Sequence, residues 1–343
     1  MGLSADEEVA VQAWVVDQPG PVTGRPLRLV DRAVPEPGPG EVRLVVSACG
    51  VCRTDLHLAE GDLQPKRPGT VPGHQVVGRV DALGAGATRF RPGDRVGVAW
   101  LRATCGRCRF CRAGRENLCL EPQFTGWDVD GGYAERVVVP EGYAYRIPDR
   151  YDDEHAAPLL CAGIIGYRAL RVADLPPGGR LGIYGFGASA HITAQLALAA
   201  GATVHVLTRS QQAQRLALDL GASSAGGADD SPPEPLDSAI LFAPAGGLVP
   251  VALNALDRGG TLAVAGIYLT DIPVLRYGQN LFQERVLRSV TANTRRDGDE
   301  LFALAGRLDL RVATQPYPFG SADVALRDLA TDRVNGAAVL LRS

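Results

Sequence analysis

The sequence predicts a two-domain α/β chain, a β-rich domain together with a doubly wound parallel sheet. Three observations carry the prediction. A length of 343 residues corresponds to about two domains at roughly 150 residues each. The texture changes near Cys161, from short β-type runs broken by Gly and Pro to strands that alternate with helices. A glycine-rich turn at positions 185–190 sits between a strand and a helix, where a doubly wound sheet makes a crossover.

In chain order, the β-type half runs from Val11 to about Pro148. Its strands are expected at Glu41 to Ala48, Val76 to Asp81 and Ala134 to Val139, separated by turn clusters such as Pro35 to Gly40 and Arg91 to Gly93. The second half opens with an apolar strand at Arg180 to Tyr184, then a helix at Ser189 to Ala200, a strand at Thr203 to Leu207 and a helix at Gln211 to Leu220. Ala225 to Pro235 is polar and Pro-rich and is expected to be a loop. The alternation resumes with a strand at Ser238 to Phe242, a helix around Leu248 to Leu256, and strands at Gly260 to Ala265 and Arg285 to Val290. After about Arg296 come helices at Asp299 to Ala305 and Ser321 to Ala330 and a closing strand at Ala337 to Leu341. No internal repeat is visible.

Composition excludes several classes of partner. With 46% hydrophobic and 21% charged residues and a net charge of -3, the chain lacks the clustered positive charge of a nucleic-acid binder. No apolar stretch reaches transmembrane length, and Met1 to Ala10 is acidic rather than basic-then-apolar, so neither a membrane span nor a secretory signal is expected. The expectation is a cytoplasmic protein with a small-molecule substrate. Seven cysteines are present, six of them in the segments 49–52 and 105–119. In a reducing compartment such clustering favours metal ligation over disulfides.

Cys105, Cys108, Cys111 and Cys119 follow a Cys-x2-Cys-x2-Cys-x7-Cys spacing. Two-residue gaps let one turn of backbone aim successive thiolates at one point, and a longer return loop supplies the fourth ligand of a closed tetrahedral shell. A structural zinc is expected, although an iron-sulfur cluster also uses four cysteines.

A nucleotide site is expected at Gly185-Phe-Gly187-Ala188-Ser-Ala190, directly after a strand and opening a helix. Alanine at the third position is tolerated because only close helix-strand packing is needed there, and pyrophosphate binds at the helix N-terminus. Roughly twenty residues on, an NAD site places Asp or Glu against the ribose hydroxyls. Here the strand ends in Thr208-Arg209-Ser210, which removes the repulsion of a 2′-phosphate and offers groups to bind it. NADP(H) is favoured over NAD(H). The alternative is that Arg209 stacks on adenine or faces solvent and NAD is still accepted.

A second cluster reads Cys49-Gly-Val-Cys52-Arg53-Thr54-Asp55-Leu-His57, followed by Gly73-His74-Gln75 and Leu160-Cys161-Ala162-Gly163. With the four-cysteine run, these segments resemble the zinc-dependent medium-chain alcohol dehydrogenases, in particular the bacterial propanol-preferring branch, through nearly the whole chain. The resemblance implies a GroES-like catalytic domain, residues 1–162 and 297–343, and an inserted Rossmann domain, residues 163–296. It implies Cys52, His74 and Cys161 as ligands of a catalytic zinc, three protein ligands leaving a fourth position for substrate. It implies Thr54 and His57 as a proton relay and Asp55 as the carboxylate that orients the ligand histidine. It also places Arg53 and Arg295 on the cofactor pyrophosphate and backbone groups near Gly266 and Ile267 on the nicotinamide amide.

The departure from the family is Gln75, where the usual residue is Glu. An amide can only hydrogen-bond, whereas a carboxylate adds negative charge near the metal. Cys49 reads as a small packing residue, and Trp100, Phe124 and Trp127 as either pocket walls or ordinary core.

The function expected is reversible hydride transfer between a primary or secondary alcohol and NAD(P), with two zinc ions per subunit, in a homodimer or homotetramer. The rivals are a conjugated-carbonyl or cinnamyl-type reductase of the same family and a non-catalytic, nucleotide-sensing homologue.

Overall fold

The computed structural model describes residues 10–334 and 336–342. Residues 1–9, part of the acidic segment read above, lie outside the described residues. The chain divides into two compact units. One is drawn from residues up to Cys161, from Thr294–Phe302 and from Ala313 onward; the other comprises Ala162–Asn293 and Ala303–Val312.

The first unit is built on the long strand Glu41–Val51. It pairs antiparallel with Val76–Leu83, Arg136–Pro140 and Ala337–Leu341. The sheet extends through Arg95–Val98 to Ala144–Arg146 on one side and through Thr314–Pro318 on the other. Along Glu41–Val51 burial alternates, so Val42, Leu44, Val46 and Ala48 point inward while Glu41, Arg43, Val45 and Ser47 stay half-exposed. That is the two-residue period of a pleated strand. Val76, Val80, Val96, Val98, Val137 and Val139 complete one apolar core. The hairpin Ala10–Val16 with Leu27–Ala33 packs Trp14 and Val16 onto that core.

The second unit is a six-stranded, wholly parallel sheet. Its spatial order is Ser224–Gly226, Thr203–Leu207, Arg180–Tyr184, Leu236–Leu241, Leu256–Val264, Val286–Ser289. In chain order this is 3-2-1-4-5-6, so the winding reverses beside Arg180–Tyr184 and creates the crevice where such sheets bind ligands. Helices Ala188–Ala199 and Leu248–Ala255 pack on separate apolar clusters. Leu181, Ile183, Val204 and Val206 meet Ala190 and Ala194, whereas Leu236, Leu241 and Leu262 meet Val249 and Leu253.

Among the elements that differ from the sequence reading, three are instructive. The helix Arg53–Glu60 was not expected; it forms because Cys52 and Asp55 make a reciprocal capping box and Gly61, at φ 91°, stops it one turn after His57. The helix Ala162–Ala173 was also missed: it buries Ile164, Ala169 and Ala173 and turns Arg171 outward, a short amphipathic pattern that the sequence reading passed over. Ser224–Gly226 is an edge strand that takes the first residues of the expected loop, because Thr203–Leu207 offers its open side. Among the described residues no single helix is long and apolar enough to cross a membrane.

Candidate active site

The strand pairing positions the first two ligand candidates. Cys49 sits opposite Val76 in antiparallel register. Cys52 follows the first strand and His74 precedes the second, so both leave the same end of the ladder. The ladder is prolonged there by Gly50 N–H donating to Gln75 O at 2.9 Å. Gly50 must lack a Cβ, which would stand 2.7 Å from the Gln75 side chain. Cys161 ends the short 3-10 turn Ala157–Leu160, anchored by Leu160, which fills the space a side chain at Gly97 would need.

The donor atoms of Cys52, His74 and Cys161 lie within 4.8 Å of one another. His74 Nε2 is 3.4 Å from Cys161 Sγ. Tetrahedral zinc, with bonds of about 2.3 Å to sulfur and about 2.1 Å to nitrogen, holds such atoms about 3.6 Å apart. The set of two sulfurs and one imidazole nitrogen therefore fits zinc in spacing and in chemistry.

Asp55 is the hub behind this set. Its Oδ1 accepts from His74 Nδ1 at 3.2 Å and Gly73 N–H at 3.0 Å; its Oδ2 accepts from Cys52 N–H at 2.9 Å and the Tyr133 hydroxyl at 3.4 Å. With its Nδ1 proton on the carboxylate, His74 turns the Nε2 lone pair toward the sulfurs. Burial opposes protonation of His74, yet the charge and hydrogen bond of Asp55, with Cys52, outweigh it and lift its pKa to about 10. The hydrogen bond from Cys161, assisted by His74, holds Cys52 well below the usual thiol range. A cation bound among these groups replaces their protons.

Thr54 places its hydroxyl 3.8 Å from Cys52 Sγ. His57, one turn along the same helix, has Nδ1 2.9 Å from Asp62 Oδ2. Trp100 presents its edge to His74, with ring centroids 5.0 Å apart. It stacks nearly parallel to Phe124 at 4.8 Å and Trp127 at 6.1 Å. All three rings are half-exposed, and Trp127 packs against the apolar core of this unit.

The four cysteines 105, 108, 111 and 119 also converge within 4.8 Å. Backbone N–H groups address the sulfurs: Cys108 N to Cys105 Sγ at 3.4 Å, Cys111 N to Cys108 Sγ at 3.5 Å, Cys105 N to Cys119 Sγ at 3.3 Å. Those donors stabilise thiolates, and the backbone N–H of Cys111 leads in bringing Cys108 down to about 6. Sγ pairs 3.5 Å apart fit a tetrahedral four-sulfur site.

Arg295 was expected on a phosphate. Its guanidinium grips Glu116 through contacts of 2.9 to 3.1 Å and lies 4.6 Å over Tyr143. Glu116 belongs to the return loop between Cys111 and Cys119, so Arg295 braces the four-cysteine lobe. Arg53 is half-exposed and pairs with Asp332.

In the second unit, Gly185 adopts φ +84°, and its N–H donates to Leu207 O at 2.8 Å. A Cβ there would meet Ala243 N at 2.8 Å, so glycine is required both for the turn and for the close approach. Gly187 caps the helix Ala188–Ala199, with open space where its side chain would be, and Ala190 is fully buried against the strands. This leaves helix N–H groups approachable by an anion. Thr208 is buried, Arg209 is exposed with no ion pair among the described residues, and Ser210 Oγ accepts from Ala213 N at 3.3 Å. Gly266 N–H donates to Leu241 O at 3.1 Å, and Ile267 is half-exposed.

Sequence reasoning missed Tyr133, whose ring lies where Gly73, at φ +96°, has no side chain. No local motif marks that pairing across 60 residues.

The family profile described as alcohol dehydrogenase GroES-like domain matches residues 38–149. The chain is 59% identical over 344 aligned positions, 99% of each protein, to "Probable alcohol dehydrogenase AdhA" of Mycobacterium tuberculosis (strain CDC 1551 / Oshkosh). Among solved structures it resembles an "NAD-dependent alcohol dehydrogenase" at TM-score 0.88 and 26% identity, covering 97% of this chain and 100% of the other. It also resembles a cinnamyl alcohol dehydrogenase of Sorghum bicolor at TM-score 0.86 and 27% identity, covering 96% and 97%.

Proposed function

The chain belongs to the medium-chain alcohol dehydrogenase family, and on that premise we propose that it moves hydride between a primary or secondary alcohol and NADP(H), with zinc held by Cys52, His74 and Cys161. Its activity is that of an alcohol dehydrogenase, a nicotinamide-dependent oxidoreductase acting on small molecules. The observation that carries the metal assignment is the convergence of two sulfurs on a histidine whose other nitrogen is committed to Asp55.

Zinc bound there supplies a Lewis acid that polarises a carbonyl and lowers the pKa of an alcohol. The chain's own residues do the rest. Asp55 fixes the tautomer and direction of His74. Thr54 offers a hydroxyl to the substrate oxygen from beside Cys52, and His57 carries the proton onward toward Asp62 and solvent. Gly185, Gly187, Ala188 and Ala190 shape the pyrophosphate turn, Gly266 and Ile267 supply backbone groups for the nicotinamide amide, and Thr208, Arg209 and Ser210 take the 2′-phosphate. Ser210 accepts from its own helix and keeps its O–H proton to donate. Cys105, Cys108, Cys111 and Cys119 hold a second, structural zinc.

The flat stack of Trp100, Phe124 and Trp127 beside His74 favours planar conjugated aldehydes within this substrate class. A homodimer or homotetramer is supported by the exposed apolar residues Val274, Tyr277 and Phe282, which precede the open edge strand Val286–Ser289. None of the seven cysteines is in a disulfide, which suits a reducing cytoplasm.

The test is to follow nicotinamide absorbance with zinc-loaded protein, NADPH or NADH, and a panel of short and aromatic aldehydes. Turnover is expected, and Cys52→Ser or His74→Ala is expected to reduce it to background while cofactor binding persists. Full activity in either variant removes the metal assignment. Cofactor binding without turnover on any aldehyde favours a nucleotide sensor.

A further inference from the structure

Gln214 lies one turn into the helix Gln211–Asp219 and does something its position does not require. Its Nε2 donates to two backbone carbonyls at once, Thr208 O at 2.7 Å and Gly226 O at 3.1 Å. These carbonyls stand at the C-terminal ends of the neighbouring parallel strands Thr203–Leu207 and Ser224–Gly226. That end of a doubly wound sheet is where nucleotides bind. Gly226 O also receives Thr208 N–H at 2.9 Å, so the side chain closes a small network around the start of the turn Thr208–Arg209–Ser210.

We propose that Gln214 is a positioning residue for recognition of a 2′-phosphorylated adenosine by this turn, an inference that rests on the NADP(H) reading above. Two physical consequences follow from its bonds. A trans peptide is planar, with its C=O and N–H pointing in opposite directions. Tying Thr208 C=O to Gln214 therefore turns the Arg209 N–H away from the helix, and that N–H has no acceptor among the described residues. It joins the exposed Arg209 guanidinium and the Ser210 hydroxyl as a donor for an anion. The same amide also covers two carbonyl oxygens that would otherwise present partial negative charge near the phosphate. A 5′-phosphate bound at Gly185–Ala190 gains nothing from either effect, so the influence of Gln214 is confined to the 2′ position.

The experiment is calorimetric binding of 2′,5′-ADP and 5′-AMP to the full-length protein, as wild type, Gln214→Leu and Gln214→Glu. Leucine keeps the bulk and removes the donor; glutamate turns acceptors and a charge on the two carbonyls. The wild type is expected to bind 2′,5′-ADP more tightly than 5′-AMP. Gln214→Leu is expected to shrink that ratio by about fivefold, the worth of a hydrogen bond or two, with 5′-AMP affinity nearly unchanged, and Gln214→Glu to shrink it further. A ratio unchanged in Gln214→Leu overturns the proposal, as does an equal loss for both ligands, which marks mere support of the sheet. A wild type with no preference for 2′,5′-ADP refutes the NADP(H) reading itself, a result that no variant is needed to obtain.

Discussion

Asp55 concentrates more of the site's order than any of the three candidate ligands does. Four donors converge on one buried carboxylate, and through them it sets the helix start at Cys52, the turn at Gly73 and the tautomer of His74. An amide at this position must aim its own N–H groups at one pair of those donors. Asp55→Asn is therefore expected to weaken zinc retention or activity by about 10- to 100-fold, the range for residues that orient a ligand histidine. Competition with a chromophoric chelator measures this, and unchanged retention would contradict the hub role. At this scale Cys52, His74 and Cys161 were legible as candidate ligands through the family resemblance, and the fold brings their donor atoms within 4.8 Å of one another. Tyr133 and Gln214 were not legible, because each acts through a contact that only tertiary structure creates. The ion pair of Arg295 was hidden for the same reason, since its partner, Glu116, is 179 residues away.

Helix Ala188–Ala199 carries a buried ionisable group in its first turn. His191 is 2% exposed, with Nδ1 3.2 Å from Gly187 O. Burial holds its pKa below the ordinary histidine value of 6.5 in spite of its hydrogen bonds to the backbone at Gly187 and Ala188. The unfolded chain thus takes up a proton that the folded chain resists. Above pH 6.5 this has no effect; as pH falls below it, stability declines by at most about 1.4 kcal/mol per pH unit, and the decline ends below the folded pKa. His191→Gln is expected to narrow the difference in urea midpoint between neutral and mildly acidic buffer, and an equal difference in both proteins would show that His191 does not contribute. Elements were legible where apolar residues recur with one period, as in Glu41–Val51 and Arg180–Tyr184. They were hidden where structure depends on a partner: Ser224–Gly226 is a strand only because Thr203–Leu207 has a free side.

Across the whole molecule, the change of texture near Cys161 anticipated a β-rich unit and a parallel sheet, and the glycine turn anticipated the crossover beside Arg180–Tyr184. Both follow from local rules: strand alternation marks a sheet with one buried face, and a tight turn into a helix leaves few alternatives to glycine. The order of the strands and the return of Ala337–Leu341 to pair with Ala48–Val51 do not follow locally, since those residues lie almost 300 positions apart. Nor does the near-parallel stacking of Trp100, Phe124 and Trp127. The most direct test of the account is the zinc content of purified, unchelated protein, wild type beside Cys52→Ser. Two equivalents per chain are expected in the wild type, one for each of the two ligand clusters, and one in the variant. A single equivalent in both, resistant to Cys52→Ser, would contradict it.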